Sequence, residues 1–193
     1  MLNLVNTKKM TKIRGEKMKT IEKIYNYDNI SPEEIDEKTT RARAIIINSK
    51  NEVLMCYSNG LQHYEFPGGH LEENETLEEG LKREILEETE ISFDEEKADL
   101  FYAIKYYCKN YHDSGKNRLV EIYYYVVYCD DIYDDSKKNL DTNEIIQNYE
   151  CRYINVNDLR NTLVENKKTT KENNTALDDM ILIWDEFLKV SAG

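Results

Sequence analysis

Between residues 68 and 91 the chain reads GGHLEENETLEEGLKREILEETEI, a two-glycine corner followed by a helix-length run crowded with glutamate. Glu84, Glu87 and Glu88 stand at i, i+3 and i+4, a spacing that a helix of about 3.6 residues per turn puts on one face. Like charges one turn apart repel, so the pattern calls for a cation among them. Oxygen ligands select a hard ion, Mg²⁺ or Mn²⁺, which keeps part of its water shell and is shared with substrate phosphates. That points to phosphate chemistry.

A solvated acidic helix would show the same composition but a different wheel. At about 100° per residue, Leu77, Leu81 and Ile85 project near Glu84 and Glu88, while Glu78, Glu79 and Lys82 fall opposite. The carboxylates therefore border the apolar stripe, where a bound cation or Arg83 must neutralise them. Ahead of the helix, Phe66-Pro67-Gly68-Gly69 reads as a strand end, a rigid φ and two residues free to take positive φ. Such a corner can present a backbone carbonyl near Gly69 to the same ion.

These residues resemble the Nudix box, GX5EX7REUXEEXGU with U a bulky aliphatic, at Gly69, Glu75, Arg83, Glu84, Ile85, Glu87, Glu88 and Ile91. Eight of its nine defining positions are met over 23 residues; Glu90 stands where the box has glycine. That position lies just past the helix, where a left-handed conformation costs a non-glycine residue roughly 1 kcal/mol. The resemblance implies an α/β fold, an α/β/α sandwich around a mixed central β-sheet. It further implies an enzyme that hydrolyses a diphosphate linking a nucleoside to some other moiety: a nucleotide, a nucleotide sugar or an ADP-ribose-like compound. Within the family pattern Glu84, Glu87, Glu88 and the Gly69 backbone hold Mg²⁺ or Mn²⁺, Glu87, Glu88 and Glu84 carry the catalysis, and Glu75 pairs with Arg83 to orient the helix.

The remaining chain of 193 residues, 40% hydrophobic, suits one domain with decorations. Residues 1–37 read as a partly flexible extension and 38–193 as a single Nudix hydrolase domain. The first 24 residues carry seven Lys or Arg against two Glu but no apolar core of a secretory signal, and no run approaches the roughly 18 apolar residues of a membrane span. Four cysteines without CxxC spacing argue for reduced thiols rather than zinc, and hence for a cytoplasmic protein. A net charge of −12 excludes a broad nucleic-acid surface; the expected partner is a small nucleotide-type molecule, with the protein a monomer or homodimer.

Strands are expected at 41–47 and 52–57 as a hairpin about Asn48-Ser49-Lys50-Asn51, at 100–107 and 119–129, and at 149–154, with a short strand or turn near Ile21, Ile24 and Tyr25. Ser31-Pro32-Glu33-Glu34 signals a helix start. In the 119–129 run both alternating sets are apolar, the mark of a central strand covered on two faces. Asp130 to Glu144 is a long acidic loop. A helix capped by Asn155 or Asn157 follows, and Leu177, Ile181, Trp184 and Leu188 stripe a last helix that packs on the sheet.

No Ser-His-Asp or Cys-His pattern is present, so water activated by metal is the expected nucleophile. Glu87 or Glu88 is the base from the box, and Glu144 and Glu150 are the downstream acids. Candidate substrate contacts are Arg43, Phe66, His70, Tyr106 and Glu150, with Arg41, Lys105 and Arg118 as further phosphate partners that no spacing ranks and Tyr102 and Tyr107 as further stacking surfaces, for which strand packing is the competing role. The rival to the hydrolase is a non-catalytic Nudix-type nucleotide-binding or sensing module. Such modules commonly lose box glutamates, and here all three are present.

Overall fold

The computed structural model describes residues 18–131 and 148–191. Glu144 and most of the acidic loop lie outside the described residues. Eight strands form one mixed sheet: β1 Ile21–Tyr25, β2 Glu37–Ile47, β3 Glu52–Ser58, β4 His63–Glu65, β5 Gly68–His70, β6 Ala98–Cys108, β7 Arg118–Tyr128 and β8 Tyr149–Asn155. Its order is β1-β6-β7-β2-β3-β4, with β5 beside β2 and β8 beside β3. β1 runs parallel to β6 and β2 parallel to β7, while β6 and β7 are antiparallel.

The hairpin falls where the sequence puts it: Asn48 Oδ1 accepts the Lys50 and Glu52 amides, each at 3.0 Å, and Asn51 takes φ +60°. β2 and β3 pair only at Ile46–Leu54 and Ile47–Val53. Beyond that the strands diverge, β2 taking β5 and β3 taking β4. This fork delivers the Gly68-Gly69 corner into the sheet.

Three helices cover the faces: α1 Leu77–Thr89, α2 Val156–Asn166 and α3 Thr175–Ser191. Alternation along the strands sorts the core into two layers. Ala42, Ala44, Ile46, Tyr125 and Val127 pack with Leu81 and Ile85 of α1. Ile45, Ile47, Tyr124 and Val126 pack with Leu159, Trp184 and Phe187 of α2 and α3. The result is an α/β/α sandwich, with β7 covered on both sides as its doubly apolar pattern requires. Each large side chain so buried contributes about 1.5–3 kcal/mol. A register shift between Leu100 and Tyr102 turns both Phe101 and Tyr102 toward α3, which strict alternation would forbid.

Near Ile21, where a short strand or turn is expected, Ile21–Tyr25 is an edge strand of the sheet. One local expectation changes. The helix signal at Ser31 yields one 3-10 turn, Pro32–Glu34, because Ile35 returns to extended backbone and β2 begins two residues later. The four cysteines form no disulfide among the described residues, and Cys56 and Cys151 are buried opposite one another on β3 and β8. No helix among the described residues is long and apolar enough to cross a membrane.

Candidate functional site

The fork between β2 and β3 holds the site's first fixed point. Arg43 Nη1 donates to the Phe66 carbonyl at 2.6 Å, Arg43 Nη2 pairs with Glu65 at 2.7 Å, and the Ala44 amide donates to the Pro67 carbonyl at 2.9 Å. The chain then turns through Gly68 at φ +124°, where a Cβ would lie 2.2 Å from the Ala42 carbonyl oxygen. Only glycine fits there. Its amide donates to Glu88 Oε2 at 2.7 Å, so the corner grips the far end of α1. At Gly69 a Cβ would fall 2.4 Å from Glu84 Oε2, and the missing side chain is what lets this carboxylate lie against the loop.

α1 starts at a capping box: the Glu79 amide donates to Thr76 Oγ1 and the Thr76 amide to Glu79 Oε2, satisfying donors that a helix start otherwise leaves open. It ends at Glu90 with φ +60°, the left-handed conformation expected at the position where the box has glycine. Between the ends Leu81 and Ile85 are fully buried and Glu88 is 2% exposed. The glutamate stripe thus borders the core. Glu78, opposite on the wheel, is reached by the Tyr125 hydroxyl at 2.9 Å.

Arg83 organises the outer flank. Its Nε and Nη2 donate to Glu75 at 2.7 and 2.9 Å, Nη1 to Glu84 at 2.9 Å and Glu87 at 3.0 Å, and Nη2 also to the His70 carbonyl at 2.9 Å. The fork-to-fork pairing with Glu75 holds that carboxyl below its usual range and raises the guanidinium above its own.

The donor chemistry fits a hard divalent ion: carboxylate oxygens on one helix flank, one of them in the core, against a loop free of side chain. The carboxylates are not drawn around one point, because Glu84 and Glu87 meet on Arg83 while Glu88 turns to Gly68. Among the described residues no group of three or more His, Cys, Asp or Glu stands close enough to hold an ion.

On the other face of the sheet, past the Gly68–His70 strand, a cavity of about 320 Å³ opens beneath α3. Along β2 the apolar Ile45 and Ile47 give way to Arg43 and Arg41 on the same face. Arg41 Nε donates to His70 Nε2 at 3.0 Å, a contact set by their register across β2 and β5. Desolvation and the neighbouring Arg41, Arg43 and Arg118 push the His70 imidazole down to about 4, so at neutral pH it accepts. Burial and Arg43 also lower the Arg41 guanidinium. Among the described residues no carboxylate forms an ion pair with it.

The floor continues over Ile122 and Val120 of β7 to Tyr106 and Cys108 of β6, and the roof is α3 from Thr175 to Met180. Asp179 lines this roof at 5% exposure. It accepts a hydrogen bond from the Tyr106 hydroxyl, and the Tyr106 ring stacks on Tyr25 at 4.8 Å. Burial raises the Asp179 carboxyl while hydrogen bonds from Tyr106 and Tyr25 and the charge of Lys23 oppose the shift; burial and Asp179 raise the Tyr106 phenol.

The structure therefore brings Glu75, Arg83, Glu84, Glu87, Glu88, Gly69 and His70 to one flank, and Arg43 and Tyr106 to the adjoining cavity. Phe66 is fully buried, packing edge-on against Tyr124 at 6.3 Å; it contributes its carbonyl rather than its ring. Glu150 pairs with Arg152 on β8 and does not line the cavity. Asp179 is the residue the sequence reading passed over. Its signal is periodicity, since it stands four and eight residues before the buried Ile183 and Phe187, an acid on a core face.

A family model described as NUDIX domain matches residues 37–175. A search of curated proteins returns no significant match. Among solved structures, a MutT protein from Methanosarcina mazei Go1 superposes with TM-score 0.50 at 17% identity, covering 83% of this chain and 98% of that one. A NUDIX hydrolase from Nitrosomonas europaea gives 0.50 at 19%, covering 80% and 90%. A C. elegans Ap4A hydrolase in a binary complex gives 0.50 at 15%, covering 80% and 98%. At these identities the superpositions speak for the fold.

Proposed function

The chain belongs to the NUDIX domain family, and from that premise we propose that it is a Mg²⁺-dependent diphosphohydrolase cleaving the phosphoanhydride of a nucleoside diphosphate linked to another moiety. The observation that carries this reading is the pairing of two unlike regions across β5, an acidic helix flank and a cavity whose entrance holds a half-buried arginine that forms no ion pair among the described residues. A diphosphate with a bound divalent cation satisfies both.

Nudix hydrolases generally use divalent metals, and Glu84, Glu87, Glu88 and the Gly69 carbonyl are the groups that would hold one here. When bound, the ion supplies charge neutralisation of the diphosphate and acidification of water. The protein's own residues do the rest. Glu75 fixes Arg83, which spaces Glu84 and Glu87; Arg43, through the Phe66 carbonyl, holds the strand end whose Gly68 amide orients Glu88. Arg41 and neutral His70 meet the phosphate entering from the cavity side. Glu87, at 36% side-chain exposure against 16% for Glu84, is the acid best placed to take a proton from the attacking water.

The deciding experiment is a turnover screen over nucleoside triphosphates, dinucleoside polyphosphates, nucleotide sugars and ADP-ribose, with Mg²⁺, with Mn²⁺ and with chelator, reading the released phosphates. Metal-dependent release from one class is the expected result. Metal-independent binding of nucleotides with no turnover of any compound would replace the hydrolase by a sensing module.

A further inference from the structure

We propose that Asp179 is the specificity-determining residue of the α3 cavity, and that it selects a nucleobase presenting two adjacent N–H donors, guanine above the others. This rests on the hydrolase reading, and it concerns what occupies the cavity when the diphosphate lies at Arg41.

The layout of the sheet sets the dimensions. Arg41 of β2 stands opposite Ile122 of β7, and Tyr106 stands opposite Val120 on the far side of the same strand. Arg41 and the Tyr106–Asp179 pair are therefore two strand spacings and two residues apart, about 12 Å between backbones, and with both side chains reaching inward the gap is comparable to that from a 5′-phosphate to the outer edge of its base. Between them the floor is Val120, Ile122 and Tyr124 and the roof is Met180, apolar surfaces suited to the flat face of a ring system. A cation at one end, an apolar slot and a carboxylate at the other match a nucleotide lying phosphate-first toward β5.

The chemistry of the far end then chooses the base. A carboxylate accepts only, through about four lone-pair positions; the Tyr106 and Tyr25 hydroxyls use two of them and leave two for a ligand. Guanine offers N1–H and the 2-amino group side by side, a matched pair for one carboxylate. Hypoxanthine keeps the first donor and lacks the second. Adenine and cytosine set an acceptor beside their amino group, and uracil has one imino donor between two carbonyls, which face a carboxylate unfavourably. A buried carboxylate left facing acceptors has a high desolvation cost.

The bland alternative makes Asp179 a tie that anchors α3 to β6 through Tyr106. The two roles separate by experiment. Binding of GDP, IDP, ADP and UDP is measured by calorimetry in chelator, and hydrolysis of the matching triphosphates with Mg²⁺, for the unaltered protein, Asp179→Asn and Tyr106→Phe, with thermal midpoints for all three.

Guanine is expected to bind and react best, and Asp179→Asn to lower the guanosine-to-uridine ratio about ten- to hundredfold. Tyr106→Phe, which keeps the carboxylate, should retain guanosine as the leading substrate. Equal treatment of GDP and IDP by the unaltered protein overturns the proposal. So does an Asp179→Asn variant that loses all four substrates in proportion, with a midpoint drop that Tyr106→Phe shares. A guanine preference in binding without any turnover supports the cavity assignment while removing the hydrolase reading.

Discussion

The α1 flank and the α3 cavity lie on opposite faces of one sheet, joined through β5, and they present opposite electrostatic needs. On the flank, Glu75, Glu84 and Glu87 share Arg83, while Glu88 sits in the core with a backbone amide. Acid is in excess there. In the cavity, Arg43 is matched by Glu65 but Arg41 rests on a neutral imidazole, and cation is in excess at the entrance. Neither imbalance would persist at the edge of a core for stability alone, since unpaired charges near low dielectric are costly. Under the proposed function, a metal-complexed diphosphate is the ligand that would supply both signs.

The largest test of that contrast is Glu88→Gln. It keeps an acceptor for the Gly68 amide and removes the charge, so the fold should persist, with an unchanged far-UV spectrum, while metal-dependent turnover falls by on the order of a thousandfold. Retained activity would detach the flank from the chemistry. Arg41→Ala addresses the other face. Because Arg41 forms no ion pair among the described residues, the variant should leave the thermal midpoint nearly unchanged and raise KM about ten- to hundredfold; a large midpoint drop with normal KM would make Arg41 structural.

Glu65→Gln sharpens the difference between the two arginines. Burial works to raise Glu65, but Arg43 and the neighbouring cations outweigh it and hold the carboxyl below its reference value of 4.5. In the interval below 4.5 the unfolded chain binds the proton first, so this contribution is present above 4.5 and lost as pH falls through the folded value. The variant should cost on the order of 1–2 kcal/mol at pH 7 and show a shallower acid limb in denaturant titrations. An unchanged limb would mean the pair adds nothing. Smallest is Glu90→Gly, which relieves a left-handed residue and should stabilise by about 0.5–1 kcal/mol without altering KM.

The α1 flank was legible in the chain because its residues are neighbours. Helical periodicity fixes which of Leu77, Leu81, Ile85, Glu84 and Glu88 share a side, and glycine at 68 and 69 marks where backbone must approach backbone. β7 was legible too, since two interleaved apolar sets permit only a covered strand. The cavity was not. Arg41, Tyr106 and Asp179 come from β2, β6 and α3, and nothing in their local spacing ranks them above Lys105 or Arg118, which the fold commits to Glu22 and Glu37. Phe66 shows the same limit, because a residue at a strand end faces core or ligand according to which helix lies over it.

Sequence by itself determined the longer strands, the last two helices and the acidic helix with its glycine corner, because periodicity and backbone permission are local properties. Tertiary structure alone decided that β2 and β3 part to admit the corner, that Arg83 stands between the carboxylates, and that an acid from α3 faces an arginine from β2. Those depend on contacts between residues as much as 138 positions apart, Arg41 to Asp179, whose meeting is fixed by strand register and by helix packing on the sheet.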